Sequence, residues 1–141
     1  PLAGARRVST ALKKVVLLVL GVAMQTYGDA LRDQQEVLSF TADIVMDAFS
    51  AESVTLRASA AADTSKASLH VDAAQVAVQA AAARSKAAAR EALAAMSSGD
   101  VLRTQLGALR RLLRGLPANT VAARRRLAEA AVSRAGYMFE G

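Results

Sequence analysis

At 141 residues the chain is long enough for one domain burying about two-thirds of its unfolded surface, and a 53% apolar share with 4% aromatics makes the core one of Leu, Val and above all Ala. The absence of cysteine excludes a disulfide framework, a thiolate nucleophile and Cys-based zinc or iron–sulfur sites, and fits a reducing, cytoplasmic setting. The net charge of +6 is uneven: residues 1–99 hold ten Lys/Arg against nine Asp/Glu, and residues 100–141 hold eight Arg against three acids.

Two prolines and eight glycines punctuate a chain rich in the strongest helix former, so nearly every long window can be helical. The first predicted helix starts at about Ser9, a residue suited to N-capping, and runs to Tyr27, with Gly28 as its stop. Gly21 in its apolar middle marks a point where a second helix backbone approaches closely. The apolar run Val15 to Met24 is ten residues, short of the ~20 that span a bilayer, and is expected in a buried core. Arg6, Arg7, Lys13 and Lys14 before that run resemble a secretory leader. No Ala-x-Ala cleavage site follows, and Pro1 in place of a methionine is expected to mark a piece cut from a longer protein.

The second predicted helix spans Asp33 to Ala61. Glu36, Ser39, Asp43, Asp47, Ser50, Ser53 and Arg57 recur at steps of three and four and form one narrow polar stripe. Val37, Phe40, Ile44, Ala48 and Ala51 flank it on one side and Leu38, Val45, Phe49 and Leu56 on the other, so more than half the circumference is expected to be covered by two or more neighbours. Asp63-Thr64-Ser65-Lys66 is the next connection.

A third helix from about Ser68 to Met96 presents mostly small inward positions, Val71, Ala74, Val78, Ala81, Ala88 and Ala92, and reads as the weakest contributor to the core. After Ser97-Ser98-Gly99, Asp100 is placed to cap a fourth helix with Leu102, Leu106, Leu109 and Leu113 as its stripe. Gly115-Leu116-Pro117 ends it. Asn119 or Thr120 caps a fifth, which runs to about Ala135 and stops at Gly136. The fold class is therefore all-α, an up-and-down bundle of four to five helices in a single domain over residues 1–141.

Chemistry is scarce along these helices. A di-iron bundle needs Glu-x-x-His on each of two helices, whereas His70 is the sole histidine and has Ala67 three residues before it; it reads as a surface residue at a helix start. Glu52 lies off the polar stripe and is expected to point into the bundle, paired with an arginine rather than acting as a base. Dinucleotide, serine-hydrolase and P-loop motifs do not occur. No catalytic, cofactor-binding or metal-binding residue is expected.

Arg103, Arg110, Arg111 and Arg114 lie opposite the leucine stripe, and Arg124, Arg125 and Arg126 follow on the fifth helix. A solvated face or an interface with acids of another domain is the plainer expectation. Arg110, Arg111, Arg114, Arg124, Arg125 and Arg126 are the candidate patch for an anionic membrane or a CoA-type phosphate. Nucleic acid is not expected, because interleaved aromatics are missing.

The runs Met24-Gln25-Thr26-Tyr27-Gly28-Asp29-Ala30-Leu31, Asp33-Gln34-Gln35-Glu36-Val37-Leu38, Ala42-Asp43-Ile44 and Glu52-Ser53-Val54-Thr55-Leu56-Arg57-Ala58 resemble the extra C-terminal helical domain of bacterial acyl-CoA dehydrogenases of the very-long-chain type. The resemblance continues through Ala81-Ala82-Ala83-Arg84, Leu109-Arg110-Arg111-Leu112-Leu113 and Pro117-Ala118-Asn119-Thr120. It implies a non-catalytic domain of a longer flavoprotein that uses FAD to oxidise fatty acyl-CoA in β-oxidation and hands electrons to a transfer flavoprotein. The catalytic glutamate and the flavin contacts would then lie upstream, outside these residues. The partners implied are the enzyme's own catalytic module and a second subunit in a homo-oligomer. A peripheral site on the inner face of the membrane is also implied, through the basic last two helices. The alternative is a stand-alone basic amphipathic adaptor for anionic membranes, and an open reading frame extending far upstream of Pro1 would separate the two.

Overall fold

The computed structural model describes residues 1–115 and 117–139, and among these every regular element is helical. Helix α1 is Ala3–Tyr27, α2 Gln35–Ala60, α3 Ala67–Met96, α4 Gly99–Leu112 and α5 Thr120–Arg134, with a 3-10 turn at Gly28–Asp33 between α1 and α2. The expected all-α bundle is what forms.

Helix α1 begins six residues before Ser9: Ala3, Ala5, Arg6 and Arg7 are good helix formers that outweigh the single Gly4, and Pro1 is tolerated just ahead of a helix. Ser9 is instead buried within the helix and its hydroxyl donates back to the Ala5 carbonyl at 3.0 Å. Gly21 also departs from expectation: it is exposed, and a Cβ there would meet nothing within 4 Å. By length and composition the helical run Ala3–Asp33, whose most apolar 18-residue window has mean hydropathy 1.6, could cross a membrane. In the bundle, Leu12, Val15, Val19 and Ala23 of α1 are fully buried.

Gly28 ends α1 with φ 54° and ψ −127°, while its N–H bonds the Met24 carbonyl. That region of backbone space is closed to side chains bearing a Cβ. Gly28→Ala is therefore expected to lower unfolding free energy by about 1–3 kcal/mol through backbone strain alone, since a Cβ would touch no neighbour. Urea melts of the two proteins measure this directly, and equal midpoints would refute it.

Two antiparallel hydrogen bonds between α1 and α2, Arg6 to Ser59 and Lys13 to Glu52, share one register. Helix α3 packs against every other α-helix, so the expectation that it contributes least to the core is overturned. Its small residues are the cause: Ala74, Ala81, Ala89 and Ala92 are all within 1% of full burial and let several helices come close at once. One core cluster joins Val15 and Val19 of α1, Ile44 of α2, Leu93 of α3 and Leu109 of α4. A second, smaller-chained cluster joins Leu12, Ala48, Ala51, Val78 and Ala81. The leucine stripe of α4 packs inward as expected, with Leu109 buried and Leu102, Leu106 and Leu113 partly so.

The caps of the last two helices differ in part from the expected ones. Ser98 in extended conformation precedes α4, and Asp100 sits inside its first turn, where it pairs with Arg103. Asn119 does cap α5, its side chain accepting from the Ala122 N–H at 3.0 Å. The left-handed residue after α5 is Ala135, at φ 57°, one place before Gly136. Of the Gly115-Leu116-Pro117 stop, Leu116 lies outside the described residues.

Candidate functional site

Four surface features remain once the core is accounted for: two inter-helix ion clusters, an exposed apolar face and a basic cleft. The first cluster is built on Asp47. Its position on the polar stripe of α2 predicts exposure, yet α3 covers it and it is 8% exposed. Arg84 Nε and a terminal nitrogen donate to one carboxylate oxygen at 3.1 and 2.7 Å, and the fully buried Ser85 hydroxyl donates to the other at 3.2 Å. All of the carboxylate's charge is thus compensated, which is the condition for keeping an acid inside a bundle.

The second cluster ties α5 down. Asp72 of α3 is 6% exposed and receives two bonds from Arg126, at 2.8 and 2.7 Å. The Asp72 hydrogen bonds hold the Arg126 guanidinium above its ordinary pKa, with partial desolvation acting the other way. Among the described elements α5 contacts only α3, and Ala123 is its one buried residue.

Glu52 does not point into the bundle as expected. It is a half-exposed partner of Lys13, so the cation is a lysine of α1 rather than an arginine. His70 lies partly buried, its ring centroid 4.4 Å from that of Phe139. Among the described residues no group of three or more His, Asp or Glu could hold a metal ion. The two glycines with positive φ, Gly28 and Gly99, stand singly at different helix ends, which is not the loop that cradles a dinucleotide.

The apolar face is where expectation and structure part most widely. Val37, Ile44, Ala48 and Ala51 of α2 are buried, but on the other flank Val45, Phe49 and Leu56 are 47%, 72% and 63% exposed. The shared α1–α2 register places Leu20 of α1 level with Val45, and Leu17 one residue past the level of Phe49. Leu17 and Met24, also largely exposed, therefore extend the same surface.

The six candidate arginines do not gather into one patch, since α4 and α5 make no contact with each other. Arg124 and Arg125 stand exposed on α5, while Arg126 is committed to Asp72. On α4, the Arg110 and Arg111 side chains lie across Gly107, 3.8 and 3.6 Å from where a Cβ would be. Arg111 and Arg114 then meet Arg6, Arg7 and Lys14 of α1 around a cleft of about 580 Å³. Those three α1 cations were legible only as a charge run at the start of the chain.

A model of the family described as "Acyl-CoA dehydrogenase, C-terminal domain" matches residues 11–111, from the middle of α1 to the last turn of α4. The chain belongs to that family. A curated relative from Bacillus subtilis (strain 168), described as a probable acyl-CoA dehydrogenase, is 41% identical to this C-terminal domain over 119 residues, 82% of the chain and 20% of the relative. The crystal structure of an acyl-CoA dehydrogenase complexed with FAD from Bacillus anthracis superposes with a TM-score of 0.92 at 36% identity, covering 95% of the domain and 23% of that chain. The chain thus spans about a fifth of the length of the relatives it matches. The resemblance seen in the Tyr27-Gly28 turn and the second helix is borne out.

Proposed function

We propose that this chain is the non-catalytic C-terminal domain of an FAD-dependent acyl-CoA dehydrogenase of fatty acid oxidation, and that it docks on the rest of that enzyme through the α1–α2 apolar face. Family membership supports the first part. The observation that carries the second is the exposure of Leu17, Met24, Val45, Phe49 and Leu56 on two neighbouring antiparallel helices, where a single exposed residue would need no explanation but five large ones on one helix pair do. The occupant is the enzyme's own upstream module, because about four-fifths of the length of the relatives lies outside the residues matched here. In this reading the flavin and the acyl-CoA are held upstream in a cytoplasmic homo-oligomer, and this domain braces the assembly without touching the reacting atoms.

The test is co-expression of the chain with the flavin-binding module of the same enzyme, followed by size-exclusion chromatography. The native chain is expected to co-elute with the flavin absorbance. Phe49→Glu combined with Leu17→Glu is expected to weaken association by at least about 100-fold, from loss of two apolar anchors worth roughly 1.5–3 kcal/mol each. Co-elution unchanged by the double substitution would remove this face from the interface.

Peripheral attachment to an anionic membrane is a second reading, supported by the exposed Arg124 and Arg125 on the one helix that only α3 holds. Sedimentation of the chain with phosphatidylglycerol-containing vesicles, lost in Arg124→Gln/Arg125→Gln, is its expected signature.

A further inference from the structure

We infer that the cleft between the N-terminal half of α1 and the C-terminal end of α4 is a binding site for a phosphate ester carrying two or more phosphate groups. It is lined by Arg6, Arg7, Thr10, Lys14, Arg111 and Arg114, with Ala11 and Leu112 as its floor. Five cations converge there and no carboxylate lines it. Among the described residues Arg7, Lys14, Arg111 and Arg114 form no ion pair, while Arg6 donates only to the Ser59 hydroxyl.

Two physical features argue that this charge awaits an anion. The buried acids of this fold each have an arginine of their own, Arg84 for Asp47 and Arg126 for Asp72, so the cleft cations are not left over from core pairing. Arg6 and Arg7 also occupy the first turns of α1, which contain no acid in the opening turn, although the positive end of the helix dipole disfavours cations there. Mutual repulsion and the dipole are both relieved by a bound anion. Five cations spread over about 580 Å³ exceed what one phosphate can neutralise, since arginines typically engage phosphate oxygens in bidentate pairs. A smaller cavity of about 200 Å³ opens beside the cleft, sharing Arg7 and Arg114 and walled by Val8, Ala82 and Leu113. An apolar substituent on the phosphate ester has its place there.

This inference stands apart from the docking face, none of whose five apolar residues lines the cleft. The probe is inorganic pyrophosphate, titrated calorimetrically into the 141-residue chain at low salt. Saturable binding is expected, weakened by at least about tenfold in Arg111→Gln/Arg114→Gln and by less than about twofold in Arg124→Gln/Arg125→Gln, which removes the same charge elsewhere. Circular dichroism confirms that each variant keeps its helices. Cardiolipin vesicles, whose headgroup carries two phosphates, form the second arm: vesicle binding that pyrophosphate displaces assigns the anion to a lipid headgroup, and pyrophosphate binding without vesicle binding assigns it to a soluble ester. No pyrophosphate binding, equal weakening in both double variants, or binding of an oligonucleotide alone would each overturn the proposal.

Discussion

Leu93→Ala is expected to lower the unfolding free energy by about 2–5 kcal/mol, a large part of the roughly 5–15 kcal/mol that holds a domain together. Leu93 is fully buried where α1, α2, α3 and α4 meet, against Val15, Val19, Ile44 and Leu109. Its buried neighbours on α3 are Ala89 and Ala92, too short to reach into the space a truncation would leave, and the buried facing residues are held on three other helices. The partly buried Met96, one turn away on α3, is the side chain placed to fill part of that space, which sets the effect in the middle of the range rather than at its top. Leu17→Ala provides the contrast. Leu17 is 69% exposed, so in the isolated chain it is expected to change stability by no more than about 0.5 kcal/mol. Chemical melts that gave the two substitutions similar effects would contradict the assignment of core and docking face together.

The second large effect is expected at the α3–α5 clamp. Arg126→Ala leaves Asp72 buried with both of its hydrogen bonds gone, and an uncompensated buried carboxylate is far worse than a missing surface pair. Because Ala123 is the only buried residue of α5, little else holds that helix. Native-state hydrogen exchange is expected to show α5 amides losing protection by at least roughly a hundredfold, with the α1–α3 core unchanged. Asp72→Ala is expected to be milder, since the half-exposed Arg126 side chain can return to water. The reverse order of the two substitutions, or a loss of protection spread evenly over all helices, would show that Asp72 is not the stranded charge.

Helix boundaries were legible wherever a local rule decides them. Gly28, Asn119 and the break at Ser97-Ser98 act through their own backbone or the next few residues. The misplaced ends have local causes too. Ser9 is a good capping residue, but the helix continues upstream because Ala3, Ala5, Arg6 and Arg7 outweigh the single Gly4. Ala135 takes the left-handed conformation expected of Gly136, and the capping bonds close around it all the same, the Gly136 N–H reaching the Ala131 carbonyl.

The candidate site was only half legible. Periodicity identified both flanks of α2 as apolar, but could not say which one its own chain covers. Asp47 and Arg57 look alike on a helical wheel, and only the rotation of α3 against α2 separates a buried, clamped acid from an exposed cation. The six arginines formed one group in sequence, yet they divide between two helices that never meet. Arg6 and Arg7 join Arg111 and Arg114 across more than a hundred residues, a proximity that no local signal encodes.

Composition, punctuation and the short runs around Tyr27-Gly28 and Gln34 to Leu38 were enough to determine an all-α bundle and its family, because helix formation and capping depend on near neighbours. The tertiary structure alone decided which acids are buried and which arginines serve them. It also decided which apolar face is left open and where the unpaired cations converge, because those depend on the register and rotation of helices far apart along the chain.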